Sequence, residues 1–149
     1  MNLYAVAHIV HLFCAIAFVG GVFFEVLVLS VLHTRRVSSE ARREVEQAMS
    51  YRAVRVMPPV VITLFLSGLV MLWERYLPVL QQPWDSALGT MLMMKILLAL
   101  SVLAHFAVAV VKMARKTLTM GWSKYIHAVV LTHMLLIVFL AKAMFYLVW

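Results

Sequence analysis

Charge is scarce in this chain: of 149 residues only 13% are charged, and Asp and Glu together number 6. Cysteine occurs once, as Cys14 inside an apolar run, which excludes a disulfide framework, a CxxC redox motif and a CxxCH site for covalent haem attachment. The HExxH helix signature that brings two zinc ligands and a base together is missing, so a zinc hydrolase of that kind is not expected. No low-complexity tract and no internal repeat can be discerned. What the chain has instead is apolar length, with 65% of residues hydrophobic and a mean hydropathy of +0.99. Globular domains run near half apolar and a quarter charged, so a water-soluble fold is excluded and lipid is the expected surround.

Four stretches, roughly 4–32, 56–77, 88–111 and 123–149, each hold the ~20 apolar residues that a helix needs to cross a bilayer. The first has no basic leader and no small-residue cleavage motif, so it is read as a retained span and not a signal peptide. An excess of 13 Lys and Arg would suggest nucleic acid in a soluble protein, but here the basic residues sit between the apolar stretches and no nucleic-acid partner is expected. Arg35, Arg36, Arg42, Arg43, Arg52 and Arg55 occupy the first connection, and Lys112, Arg115, Lys116 and Lys124 the third. The second connection carries Arg75 alone, beside Trp73, Tyr76 and Trp84. The positive-inside rule then puts the first and third connections in the cytoplasm and both termini in the periplasm. The fold class is all-α: an integral-membrane antiparallel four-helix bundle forming a single transmembrane domain over 1–149. Residues 39–51, preceded by Ser38 or Ser39 as N-cap, read as a short separate cytoplasmic helix. Pro58 and Pro59 mark the start of the second span, where a missing N–H costs little.

Ionisable groups inside a span cost about 2.5–3.5 kcal/mol each on the insertion scale, so they tend to face the bundle interior and mark function. The first span carries His8, His11 and Glu25, the third Lys95 and His105, and the fourth His127, His133 and Lys142; the second carries none before Glu74, where the following connection begins. Counting ~1.5 Å per residue from midpoints near Phe18, Ser101 and Leu136 puts His11, Lys95 and Lys142 about 10 Å toward the outside. His105 and His133 fall about 5 Å to the inside, with Glu25 and His127 deeper still. Two polar layers are therefore expected. Imidazole suits haem iron, copper and zinc alike as a donor. A b-type haem needs one or two axial ligands and small residues for the macrocycle, which Gly20, Gly21, Ala15, Ala17, Gly68, Ala99, Ala104 and Ala107 offer. Copper transport draws on thioethers as well, and Met91, Met93, Met94 and Met120 stand near span ends. Plainer roles remain open too: Lys95 and Lys142 as residues snorkelling to the interface, and His33 and His127 as solvated interfacial groups.

The string HLFCAIAFVGGVFFEVLVL, from His11 to Leu29, resembles the first span of the HemJ-type protoporphyrinogen IX oxidases and of CopD-like copper-resistance membrane domains, with His11, Phe18 and Gly20-Gly21 at their histidine, aromatic and small-residue positions. MKILLALSVLAHFAVAVVKMARK resembles their third span through Lys95 and His105, and PPVVITLFLSGLVML their second. The resemblance implies a four-helix membrane protein holding haem b, with His11 and Lys95 at important positions. His127 and His133 on the last span are closer to the CopD-like pattern and imply a possible second haem.

The functional expectation is a haem b redox protein of the bacterial inner membrane, multi-pass, exchanging electrons with quinone or a porphyrin-type substrate. His11 and His105 are the candidate axial ligands, with Lys95, His133, His8 and His127 as further cofactor-binding candidates; no catalytic residue is assigned. The alternatives are a copper-handling transporter and a non-catalytic subunit of a respiratory complex, with homo-oligomerisation open in each case.

Overall fold

The computed structural model describes residues 2–147 and, among them, contains helices and no strand. Four helices are long and apolar enough to cross a membrane. They comprise α1 (Leu3–Leu27), α2 (Ser39–Met71), α4 (Ala87–Ala114) and α5 (Met120–Ala143), with a short α3 (Leu77–Gln81) between the second and third. Each long helix opens on a side-chain cap: Asn2, Ser38, Ser86 and Thr119 accept from the backbone N–H of Ala5, Ala41, Gly89 and Trp122. A cap satisfies one of the donors that the first turn leaves free, which fixes where each helix begins.

The helix expected as a separate element over 39–51 is the first part of α2, which runs for 33 residues without a break. Pro58 and Pro59 lie inside it and do not begin it. Each proline removes one i→i−4 bond, which leaves the carbonyls of Val54 and Arg55 without their helical donors. At its other end α2 passes through a π-helical turn, Leu72–Tyr76, into α3, so the connection to α4 shrinks to 82–86. The first span ends earlier than 32 as α-helix and finishes in a 3-10 turn, Leu29–His33. The last, expected to 149, stops as helix at Ala143; its two final residues lie outside the described ones.

Packing follows chain order. α1 lies along α2 and α4 along α5, and the ring closes through α5 on α1 and α2 on α4. One end of the bundle carries the start of α1 and the end of α5, and the other carries the basic connections. Phe18, Val61, Val102, Ile126, Val130 and Met134, from all four long helices, form the central core, where Phe18 meets Phe106 edge-on at 5.8 Å. Between the core and the terminal end, Met91, Leu92, Leu140, Ala143 and Met144 form a second cluster. Most other apolar side chains, among them Phe13, Ile16, Leu66, Leu97 and Phe139, point outward. In hydrocarbon such exposure is free, and helix association rests on close packing and interhelical hydrogen bonds in place of the hydrophobic effect. Trp73 and Trp122 are exposed at opposite ends, each 12 positions from the core level of Val61 and Met134 respectively, hence about 36 Å apart along the bundle. That is the spacing of two interfacial aromatic belts about a hydrocarbon layer of ~30 Å.

The 82–86 connection folds tightly onto the start of α4. Thr90 Oγ1 donates to the Pro83 carbonyl at 3.1 Å, and a Cβ added to Gly89 would stand 2.6 Å from that same oxygen. The obstacle is backbone, so Gly89→Ala should destabilise the detergent-solubilised protein by about 1–3 kcal/mol. Thermal unfolding followed by circular dichroism measures this; an unchanged midpoint would mean that the connection yields freely.

Candidate functional site

His11 is built into the face of α1 that meets α2. Its Nδ1 lies 2.9 Å from the Leu64 carbonyl oxygen, and a carbonyl only accepts, so the ring proton sits on Nδ1 and the Nε2 lone pair is left open. The Ser67 hydroxyl, buried, stands 3.2 Å from the same nitrogen and is within donating distance of the Thr63 and Leu64 carbonyls. Gly68 makes the approach possible: a Cβ there would come within 3.2 Å of His11 Cε1. Lys95, half-buried on α4, and His8, exposed on α1 beside Tyr4, lie near enough to His11 for charge to act between them. Lys142 is exposed on α5.

Across the central core the pattern repeats with a different source of carbonyls. His105 Nδ1 is 2.8 Å from the Ser101 oxygen and His133 Nδ1 is 2.6 Å from that of Val129, each four residues back on its own helix. Both rings therefore present Nε2 as the open nitrogen. Their centroids are 6.3 Å apart with planes tilted by 32°, and the Tyr125 ring lies 6.0 Å from His105. His127 differs. Its Nδ1 is 2.7 Å from the Ser123 carbonyl, while its Nε2 is 3.1 Å from a Glu25 carboxylate oxygen. Both nitrogens face acceptors, so no lone pair is free for a metal in this arrangement.

The structure thus brings His11 into the neighbourhood of Lys95 and His8, pairs His105 with His133, and engages His127 with Glu25. Sequence reasoning missed Leu64, Ser67 and Tyr125. The Ser67-Gly68 pair was the available signal, a hydroxyl beside a bare Cα in an otherwise apolar run; Gly68 is read from sequence only as room for a macrocycle, and Ser67 stands out less because the apolar stretch around it holds no ionisable group.

These donors can be weighed against the cofactors the sequence suggests. Among the described residues no three His, Cys, Asp or Glu side chains converge on a point that could hold a metal ion. Met91, Met134 and Met144 are packed in the apolar clusters. Axial ligation of a haem needs only one or two imidazoles, and the Nε2 atoms of His11, His105 and His133 fit that role in kind, each with the Nδ1–H···O=C bond that orients a ligating ring. At the level of Phe18 the interior is closed by Phe106 and by Val61, which is 1% exposed, so the donors form two separate groups on either side of an apolar layer.

Comparison of the chain with models of protein families, with curated proteins and with solved structures gives no match.

The Glu25–His127 contact joins α1 to α5 about 10 Å from the core level, with Glu25 46% exposed on the side chain. A double-mutant cycle with Glu25→Gln and His127→Ala should show a favourable coupling of about 1 kcal/mol in thermal or denaturant unfolding. Strict additivity of the two substitutions would mean that the groups do not interact.

Proposed function

We propose that this protein is a haem b-binding redox protein of the bacterial inner membrane, HemJ/CopD-like, that exchanges electrons with quinone or a porphyrin-type substrate. The observation that carries this reading is the shared state of His11, His105 and His133: each ring's Nδ1–H is held by a backbone carbonyl and its Nε2 is open. That arrangement fixes both the tautomer and the ring plane of a metal ligand before the metal arrives. Bound haem would supply one-electron cycling of its iron, with a potential set by its axial ligands and the low dielectric of the bundle. His11 is the first axial candidate, since Ser67 and Gly68 shape its pocket; His105 or His133 would serve a second site across the Phe18 layer. Lys95, at the His11 level, would pair a propionate or act as a further ligand.

An absorption spectrum of the purified protein tests the reading directly. A reducible Soret and alpha band should be present and should weaken strongly in His11→Ala and in His105→Ala. Retention of full haem with an unchanged low-spin spectrum in both variants would overturn the ligand assignment, and a colourless wild-type protein after haem supplementation would overturn the function.

The proposal includes an orientation with both termini in the periplasm, supported by ten basic residues in the first and third connections against Arg75 in the second. Alkaline phosphatase fused after Trp149 should be active in cells; an inactive fusion, with a cytoplasmic reporter active at the same site, would invert the topology.

A further inference from the structure

Outside the histidine groups, the outer face of α4 carries a groove of about 410 Å³ lined by Ala107, Val108, Val111, Lys112, Arg115 and Thr117. The first five recur at positions that share one face of a helix. Three are apolar and come first along the chain; the two cations follow, and the turn after α4 closes the groove with Thr117. Counting from Val102 in the central core, Ala107 lies about 8 Å and Val111 about 14 Å along the bundle, whereas Lys112 and Arg115 reach about 15 and 20 Å. A bilayer has a hydrocarbon half-thickness of about 15 Å and a polar layer ending near 20–22 Å. The apolar wall therefore stands at acyl-chain depth and the two cations at phosphate depth.

Among the described residues no carboxylate pairs with either cation. From Ser86 to Trp149 the sequence has no Asp or Glu, and the two ion pairs among the described residues, His33–Glu46 and His127–Glu25, involve neither Lys nor Arg. Lys112 is positioned all the same: its Nζ rests 4.6 Å above the Trp122 ring of α5, which fixes the ammonium at the rim of the groove and leaves its N–H donors free. The complementary charge must come from outside the chain, attached to something apolar.

We propose that this groove binds one anionic phospholipid, its phosphate held by Lys112 and Arg115 and an acyl chain laid along Ala107, Val108 and Val111. Titration of the detergent-purified full chain with phosphatidylglycerol or phosphatidylcholine of matched acyl chains, read by native mass spectrometry, tests it. Phosphatidylglycerol should be retained in preference. Lys112→Gln and Arg115→Gln should each lower its retention about fivefold, while Lys124→Gln, which removes the same charge from an exposed position outside the groove, should leave retention unchanged. Equal retention of the two lipids, or equal losses in all three variants, would overturn the proposal in favour of a non-selective lipid shell or diffuse surface charge. A competition on the unmodified protein stands even if a variant fails to fold: inorganic phosphate and glycerol 3-phosphate should not displace phosphatidylglycerol. Displacement by either would assign the cations to a free phosphate and remove the lipid.

Discussion

Hydrocarbon offers a polar side chain no partner, so every donor within the spans has to find an acceptor in the protein itself. Among the described residues no fully buried side-chain nitrogen or oxygen lacks a hydrogen bond. Serine and threonine return their hydroxyls to carbonyls one turn back, as Ser67 does to Thr63 and Thr132 to Ala128. Histidine does the same with one nitrogen only. The bond that makes His105 or His133 tolerable in a span also decides its tautomer and turns its second nitrogen away from its own helix. Structural necessity and ligand readiness are here the same interaction, which is why the proposed chemistry needs no residues added for orientation.

A second consequence of the surround is the dry central layer. Phe18 and Phe106, with Val61, Val102, Ile126, Val130 and Met134, tie the long helices together by contact alone. Polar groups are displaced to either side of that layer. The terminal half holds His11, Ser67 and Lys95, and the basic half holds the His105–His133 pair and the Glu25–His127 contact. The apolar layer separates the two groups of titratable side chains in a medium where charge travels badly.

Much of this architecture was legible in the residues. Apolar length gave the four spans, and the constant rise of a helix was enough to put His105 level with His133 and Glu25 level with His127. Two things were not legible. Pro58-Pro59 looks like a helix start because an interior proline normally ends a helix; here the helix continues through both, and the loss is confined to the two ladder bonds to the Val54 and Arg55 carbonyls. The partners of His11 were hidden for another reason. Depth along an axis follows from counting, but which side of α1 meets α2 depends on packing, and the key acceptor, the Leu64 carbonyl, is a backbone atom that no residue type announces.

Continuity of α2 gives the molecule a lever. Ser39 lies 22 residues from Val61, about 33 Å, whereas Leu64 lies 3 residues beyond it, about 4.5 Å. If α2 tilts by ~10° as a rigid rod about its packed centre, its arginine-bearing tip sweeps about 6 Å while the carbonyl that holds His11 shifts by about 0.8 Å. Motion of the tip at the membrane surface is thus geared down roughly sevenfold before it reaches the imidazole. Bending at the Pro58-Pro59 joint, short of two ladder bonds, would absorb part of even that. The imidazole is thereby buffered against any displacement of the distant end of the helix that holds it.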